Sequence, residues 1–148
     1  MRLSIDSGAV VTGTGVTFVL TSSSGKNNSV PQVSINGTAS VSITAPTSDS
    51  ALGADSSGVV IFQDPNAGGG AKQSLNINGA STTYFGGAIV APAAAIGFEG
   101  TGVSGTGHNC TQIIGDTVTF IGNSSVSSDC GAYGTAGISG GVQTVLSE

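Results

Sequence analysis

The chain has 148 residues, enough for one domain with a real core, yet only 7% of them are charged, against roughly 25% in an ordinary soluble domain. Three cations (Arg2, Lys26, Lys72) stand against eight acids, a net charge of −5. That supplies no basic patch for phosphates and sets nucleic acid and anionic lipid surfaces aside as partners.

Gly (25), Ser (22) and Thr (16) dominate instead, so solubility must come from hydroxyls and backbone rather than ion pairs. The apolar residues are mainly Ala, Val and Ile, with no Trp, and small and β-branched side chains favour strands. No segment carries the long 3.6-residue apolar period of an amphipathic helix.

In chain order, Met1-Arg2-Leu3-Ser4-Ile5-Asp6 is strand-like but not a secretory signal, because Asp6 falls where the apolar region should be. The abrupt start predicts the C-terminal part of a longer protein, with any export signal upstream, and residues 1–148 forming a single domain. Strands are predicted at Val16–Leu20, Val33–Ile35, Val41–Ile43, Val59–Phe62, Leu75–Ile77, Ala88–Val90, Gln112–Ile114 and Thr117–Phe120. Gly, Asn and Ser, which accept tight turns, separate them. The uncharged run Tyr84–Phe98 is 15 residues long and broken by Gly and Pro92, too short for a membrane helix of about 20 residues.

An internal repeat links three of these strands. Val33-Ser34-Ile35-Asn36-Gly37 recurs as Leu75-Asn76-Ile77-Asn78-Gly79 and, degenerate, as Val118-Thr119-Phe120-Ile121-Gly122, at offsets of 42 and 43 residues. Ile43-Thr44-Ala45-Pro46 is echoed by Ile89-Val90-Ala91-Pro92. Periods of this length belong to solenoids or propellers, and a period near 43 fits two rungs of a β-helix or one propeller blade. Three blades cannot close a propeller, for which four is the usual minimum. The expected fold is therefore all-β, a right-handed parallel β-helix with Ile35, Ile77 and Phe120 in its core; a β-sandwich is the alternative.

Chemistry-bearing motifs are scarce. Asp49 and Asp55 are the nearest acid pair and would have to sit roughly 5 to 9.5 Å apart to act as a glycosidase; a Ser/Gly-rich loop is the plainer reading of both. His108 stands alone between Gly107 and Asn109, and no serine has a nucleophile-elbow context. Gly68-Gly69-Gly70-Ala71-Lys72 lacks the first Gly and the Ser/Thr of a phosphate loop. Four Asn-Xaa-Ser/Thr triplets, at Asn27, Asn36, Asn109 and Asn123, are what so Ser/Thr-rich a chain produces by chance. No catalytic residue, cofactor or metal site is predicted. Any binding would rest on hydroxyls, backbone amides and aromatics such as Tyr84 or Tyr133. An ice-binding solenoid would need Thr at a fixed rung spacing, which Thr12, Thr14, Thr17, Thr117 and Thr119 do not keep.

One stretch is familiar. Gly58-Val59-Val60-Ile61-Phe62-Gln63-Asp64-Pro65-Asn66-Ala67, then Leu75–Gly79, Gly87–Phe98 and Cys110–Ser125 followed by Cys130, resemble in order the C-terminal region of TadG-like proteins of the Flp/Tad pilus-assembly system. The resemblance covers about half the chain. It implies a bacterial cell-surface or secreted protein, extracytoplasmic and tied to an adhesion pilus, with other pilus or envelope proteins and surface glycans as partners. It brings no catalytic residues, and membrane attachment would come only through an N-terminal segment missing from this sequence. The function expected is a non-enzymatic structural or adhesive surface module; a carbohydrate-active β-helix enzyme or surface carbohydrate-binding domain is the alternative.

Cys110 and Cys130, 19 residues apart, are the only cysteines. They match no zinc pattern, which leaves two buried thiols or one disulfide; an exported composition favours the disulfide. Closing a loop of this size is worth about 3 kcal/mol in the chain-entropy treatment. Reduction should then lower the melting temperature by several degrees, and a thermal scan with and without reductant that superimposes would remove the bridge from the account.

Overall fold

The computed structural model describes residues 2–22, 32–48, 57–65, 73–79, 83–100 and 110–123, together with Val126 and Thr135. Every regular element among them is a strand: β1 (Arg2–Ile5), β2 (Val10–Thr14), β3 (Phe18–Leu20), β4 (Gln32–Ile35), β5 (Ser40–Thr44), β6 (Val59–Gln63), β7 (Gln73–Gly79), β8 (Tyr84–Gly100) and β9 (Thr111–Gly122). The all-β expectation holds, and the described strand pairings are all parallel. An antiparallel sandwich does not generate such pairings.

The strands form one curled nine-stranded sheet in which three ladders can be followed. The first runs β1, β4, β7, the end of β8 and the end of β9, with Leu3, Val33, Leu75, Ile96 and Val118 in one column. Ile5, Ile35, Ile77, Phe98 and Phe120 form a second column two residues along. The second ladder is β2, β5 and the start of β8. The third is β3, β6, the middle of β8 and the start of β9, with Phe18, Ile61, Ile89 and Ile113 aligned. Alternation sends these columns to one side, where Val33, Ile35, Val41, Ile43, Ile61, Leu75, Ile77, Phe85, Ile89, Ile96 and Phe98 form a continuous buried core.

Turns between the first two ladders are built alike. Asp6 and Asn36 each accept, through the backbone carbonyl, the amide of the residue three further on, Ala9 and Ala39. Asp and Asn suit the first position of such a turn. The Asn36 side-chain amide donates to Asp6 Oδ1 at 3.1 Å, so one turn is seated on the next.

All eight predicted strands lie wholly or partly in strands, but β1, β2 and the segment 94–100 go beyond them. The 42-residue repeat places Val33 directly beside Leu75, one ladder step rather than two, because the sequence between β5 and β7 is long. From Leu75 to Val118 is two steps, with Ile96 between. The Ile43/Ile89 echo joins different ladders, Ile43 pairing with Phe85 and Ile89 with Ile61. Phe120 is the other correction. It continues the core column and stacks on Phe98, ring centroids 5.3 Å apart, yet it is 48% exposed because no described strand lies beyond β9.

β8 passes through all three ladders within 17 residues. It turns from the second into the third at Gly87, whose φ is +142°, and a Cβ there would lie 2.7 Å from Ala45 Cβ and 2.9 Å from the Gly58 carbonyl oxygen. Gly87→Ala should therefore cost at least about 1–3 kcal/mol through backbone strain alone. Gly97→Ala, whose Cβ would meet only Asn76 Oδ1 at 3.6 Å, should be neutral or stabilise by about 0.4–1 kcal/mol. Equal denaturation midpoints for the two variants would contradict this placement of the bend.

Candidate functional surface

The three ladders present different outward rows. On the first, Ser4, Ser34, Asn76, Gly97 and Thr119 follow one another; next to them Arg2 pairs with Gln32, and Ser74, Ala95 and Thr117 are in line. Such positions are spaced by about 4.8 Å, the separation of hydrogen-bonded strands. At the edge of this face the Asp6 carboxylate accepts from Ser4 Oγ at 2.8 Å as well as from Asn36. On the second ladder Thr12 pairs with Ser42 and Thr14 with Thr44, but the next positions are Tyr84 and Gly86. Thr117 and Thr119 likewise continue into Ala95 and Gly97, so neither Thr pair extends into a ladder of its own kind. The third ladder is apolar outside: Val19, Phe62, Val90 and Ile114 stand in one row, and all but Val90 are exposed.

Part of the Thr content is structural rather than displayed. Thr111 Oγ1 donates to the Phe85 carbonyl at 2.6 Å, Thr17 Oγ1 to the Val59 carbonyl at 2.7 Å, and Thr135 Oγ1 to the Gly58 carbonyl at 3.0 Å. These hydroxyls satisfy main-chain acceptors where the chain turns from ladder to ladder. Sequence reasoning had no signal for them, since each partner lies far off in sequence.

Cys110 is buried at the head of β9, its Sγ 4.0 Å from Thr135 Oγ1. Cys130 lies outside the described residues, as do Asp49, Asp55, His108, Lys26, Lys72, Tyr133, Asn27, Asn109 and the Gly68–Lys72 segment. Asn36 is engaged with Asp6, while Asn123 is exposed. Tyr84 is not the exposed aromatic expected of it. It is 3% exposed, and its hydroxyl and ring lie where a Cβ on Gly86 would be, so the missing side chain makes the niche. Among the described residues no three of His, Cys, Asp and Glu gather as potential metal ligands, and no helix is long and apolar enough to cross a membrane.

Compared with protein-family models, curated proteins and solved structures, the chain matches none. Its surface therefore has to be read from its own residues.

The contrast between internal and displayed hydroxyls is measurable. Thr111→Val leaves the Phe85 carbonyl without its buried donor and should cost about 1–3 kcal/mol. Thr119→Val, on the exposed row, should stay within about 0.5 kcal/mol. Urea titrations giving the reverse order would mean that the Thr111 bond is not made in solution.

Proposed function

We propose that the chain is a non-enzymatic structural or adhesive surface module of a bacterial Tad-type pilus system, folded as a right-handed parallel β-helix and closed by a Cys110–Cys130 disulfide. The observation that carries the reading is the in-register continuation of one core column through five strand segments, Leu3, Val33, Leu75, Ile96 and Val118. Three ladders visited in the same order on successive passes are what a coil of three faces requires, and parallel crossovers are right-handed in about 98% of cases. Such a rod holds its outer rows rigidly and needs no chemistry to do so.

The surface chemistry supports display rather than turnover. The described outward rows are hydroxyls, amides and apolar groups, with Arg2 the sole cation among the described residues. Contacts to partner envelope proteins or glycans would be made through those groups and would respond weakly to salt, having few charges to screen. The extracytoplasmic, cell-surface or secreted setting follows from the low charge, the disulfide reading and the likeness of residues 58–130 to the C-terminal region of TadG-like proteins.

Two assays test the proposal together. Cells lacking the domain should lose adherence or pilus display, and the purified chain should show no hydrolase or lyase turnover on a polysaccharide panel. Turnover abolished by Asp49→Ala or Asp55→Ala would replace this reading with the carbohydrate-active enzyme.

A further inference from the structure

The first ladder ends on an apolar strand at both edges, with Ile5 buried at the β1 edge and Phe120 half exposed at the β9 edge. β1 pairs only with β4 and β9 only with β8, so among the described residues each carries one unpaired backbone edge, a template for another strand. The core columns run out to those edges still apolar. Val118 is 39% and Phe120 48% exposed although Leu75, Ile77, Ile96 and Phe98 in the same columns are closed off completely or nearly so. At the other edge Leu3, heading the first column, is only partly buried and packs against the core from outside it.

We propose that the chain associates head to tail with further copies of itself, β1 of one copy becoming the next strand beyond β9 of another. The columns specify the register. Leu3 would follow Val118 and Ile5 would follow Phe120, just as Val118 and Phe120 follow Ile96 and Phe98. The same alignment sets Arg2 beside Thr117 and Ser4 beside Thr119, continuing the outward rows of the ladder. Contact between two different edges is heterologous, so it generates open filaments or rings rather than isologous dimers. β-Augmentation of this kind draws affinity from main-chain hydrogen bonds and register from alternate side chains. The inference rests on the coil reading of the fold given above and not on the pilus assignment.

The test uses the 148-residue chain and two variants, Leu3→Lys and Phe120→Lys, each placing a charge at one edge, with Val118→Lys as a second change at the β9 edge. Sedimentation velocity should show wild-type mass rising with concentration, while each variant alone keeps the monomer mass. An equimolar mixture of Leu3→Lys and Phe120→Lys should give twice the monomer mass and nothing larger, because each retains the edge that the other has lost. Far-UV circular dichroism matching wild type establishes that the variants fold. A wild type that stays monomeric at hundreds of micromolar, a mixture that does not pair, or a single variant that still polymerises would overturn the proposal. Spin labels on Ser4→Cys and Ser34→Cys, facing partners on β1 and β4, separate the two levels. Labels in dipolar contact within a monomer that does not stack sink the stacking alone; labels far apart sink the coil reading with it.

Discussion

A strand in a parallel ladder cannot take its partner from the next strand in sequence through a short hairpin; the chain must first travel away and return. Here β4 bonds to β1 before it and β7 after it, and β5 to β2 and β8, so every partner lies tens of residues away, and the separations differ in length. Val33 follows Leu3 by 30 residues and Leu75 follows Val33 by 42, whereas Ile96 follows Leu75 by only 21. The register survives this variation because it is fixed by the columns. A slip of one residue would turn Ile35 or Ile77 outward and bring Ser34 or Asn76 into the core. The apolar alternation, rather than any loop, holds the successive passes together.

That explains what could be read from the sequence. Runs with strict alternation, such as Val33-Ser34-Ile35 and Leu75-Asn76-Ile77, reveal both the strand and its inward face, and their likeness to each other places them in one ladder. What alternation cannot reveal is the count of intervening passes. Ile96-Gly97-Phe98 belongs between Leu75-Asn76-Ile77 and Val118-Thr119-Phe120, but it follows an Ala-rich stretch in which Pro92 is the one sign that the strand changes ladder. Arg2-Leu3-Ser4-Ile5 reads as strand-like, but so short a run does not reveal which ladder it joins. Whether an inward residue is covered also depends on the next pass, so Phe120 has the pattern of a core residue and the exposure of a surface one.

The surface was less legible than the core, for a different reason. Val59-Val60-Ile61-Phe62 is apolar throughout, and periodicity says nothing about which of the four face out. The structure resolves this with a shift of register between Val59 and Ile61, leaving Phe62 outside and Val60 buried. Tyr84 fails expectation through a neighbour two residues on, since only a glycine at 86 leaves room for the ring to lie along its own strand. Composition did anticipate a surface built on hydroxyls, but not that Thr111, Thr17 and Thr135 would turn theirs to carbonyls at the bends.

The bends show how a chain with so few charges keeps its passes short. β8 needs no loop to cross from the second ladder to the third, because Gly87 adopts a backbone that residues with a Cβ avoid, and the register shifts once more between Ala91 and Ala95, around Pro92. A β-branched threonine then supplies the buried donor that a tight corner demands, as Thr111 does beneath Phe85. Longer sequence is inserted elsewhere, between β5 and β6 and between β6 and β7, where the chain keeps Asp49, Asp55 and Lys72. Within the strands the charged residues are Arg2, Glu99 and Asp116, all three exposed, because an ionised group turned inward between strands about 4.8 Å apart would have to be paired or lose its water at a cost of several kcal/mol.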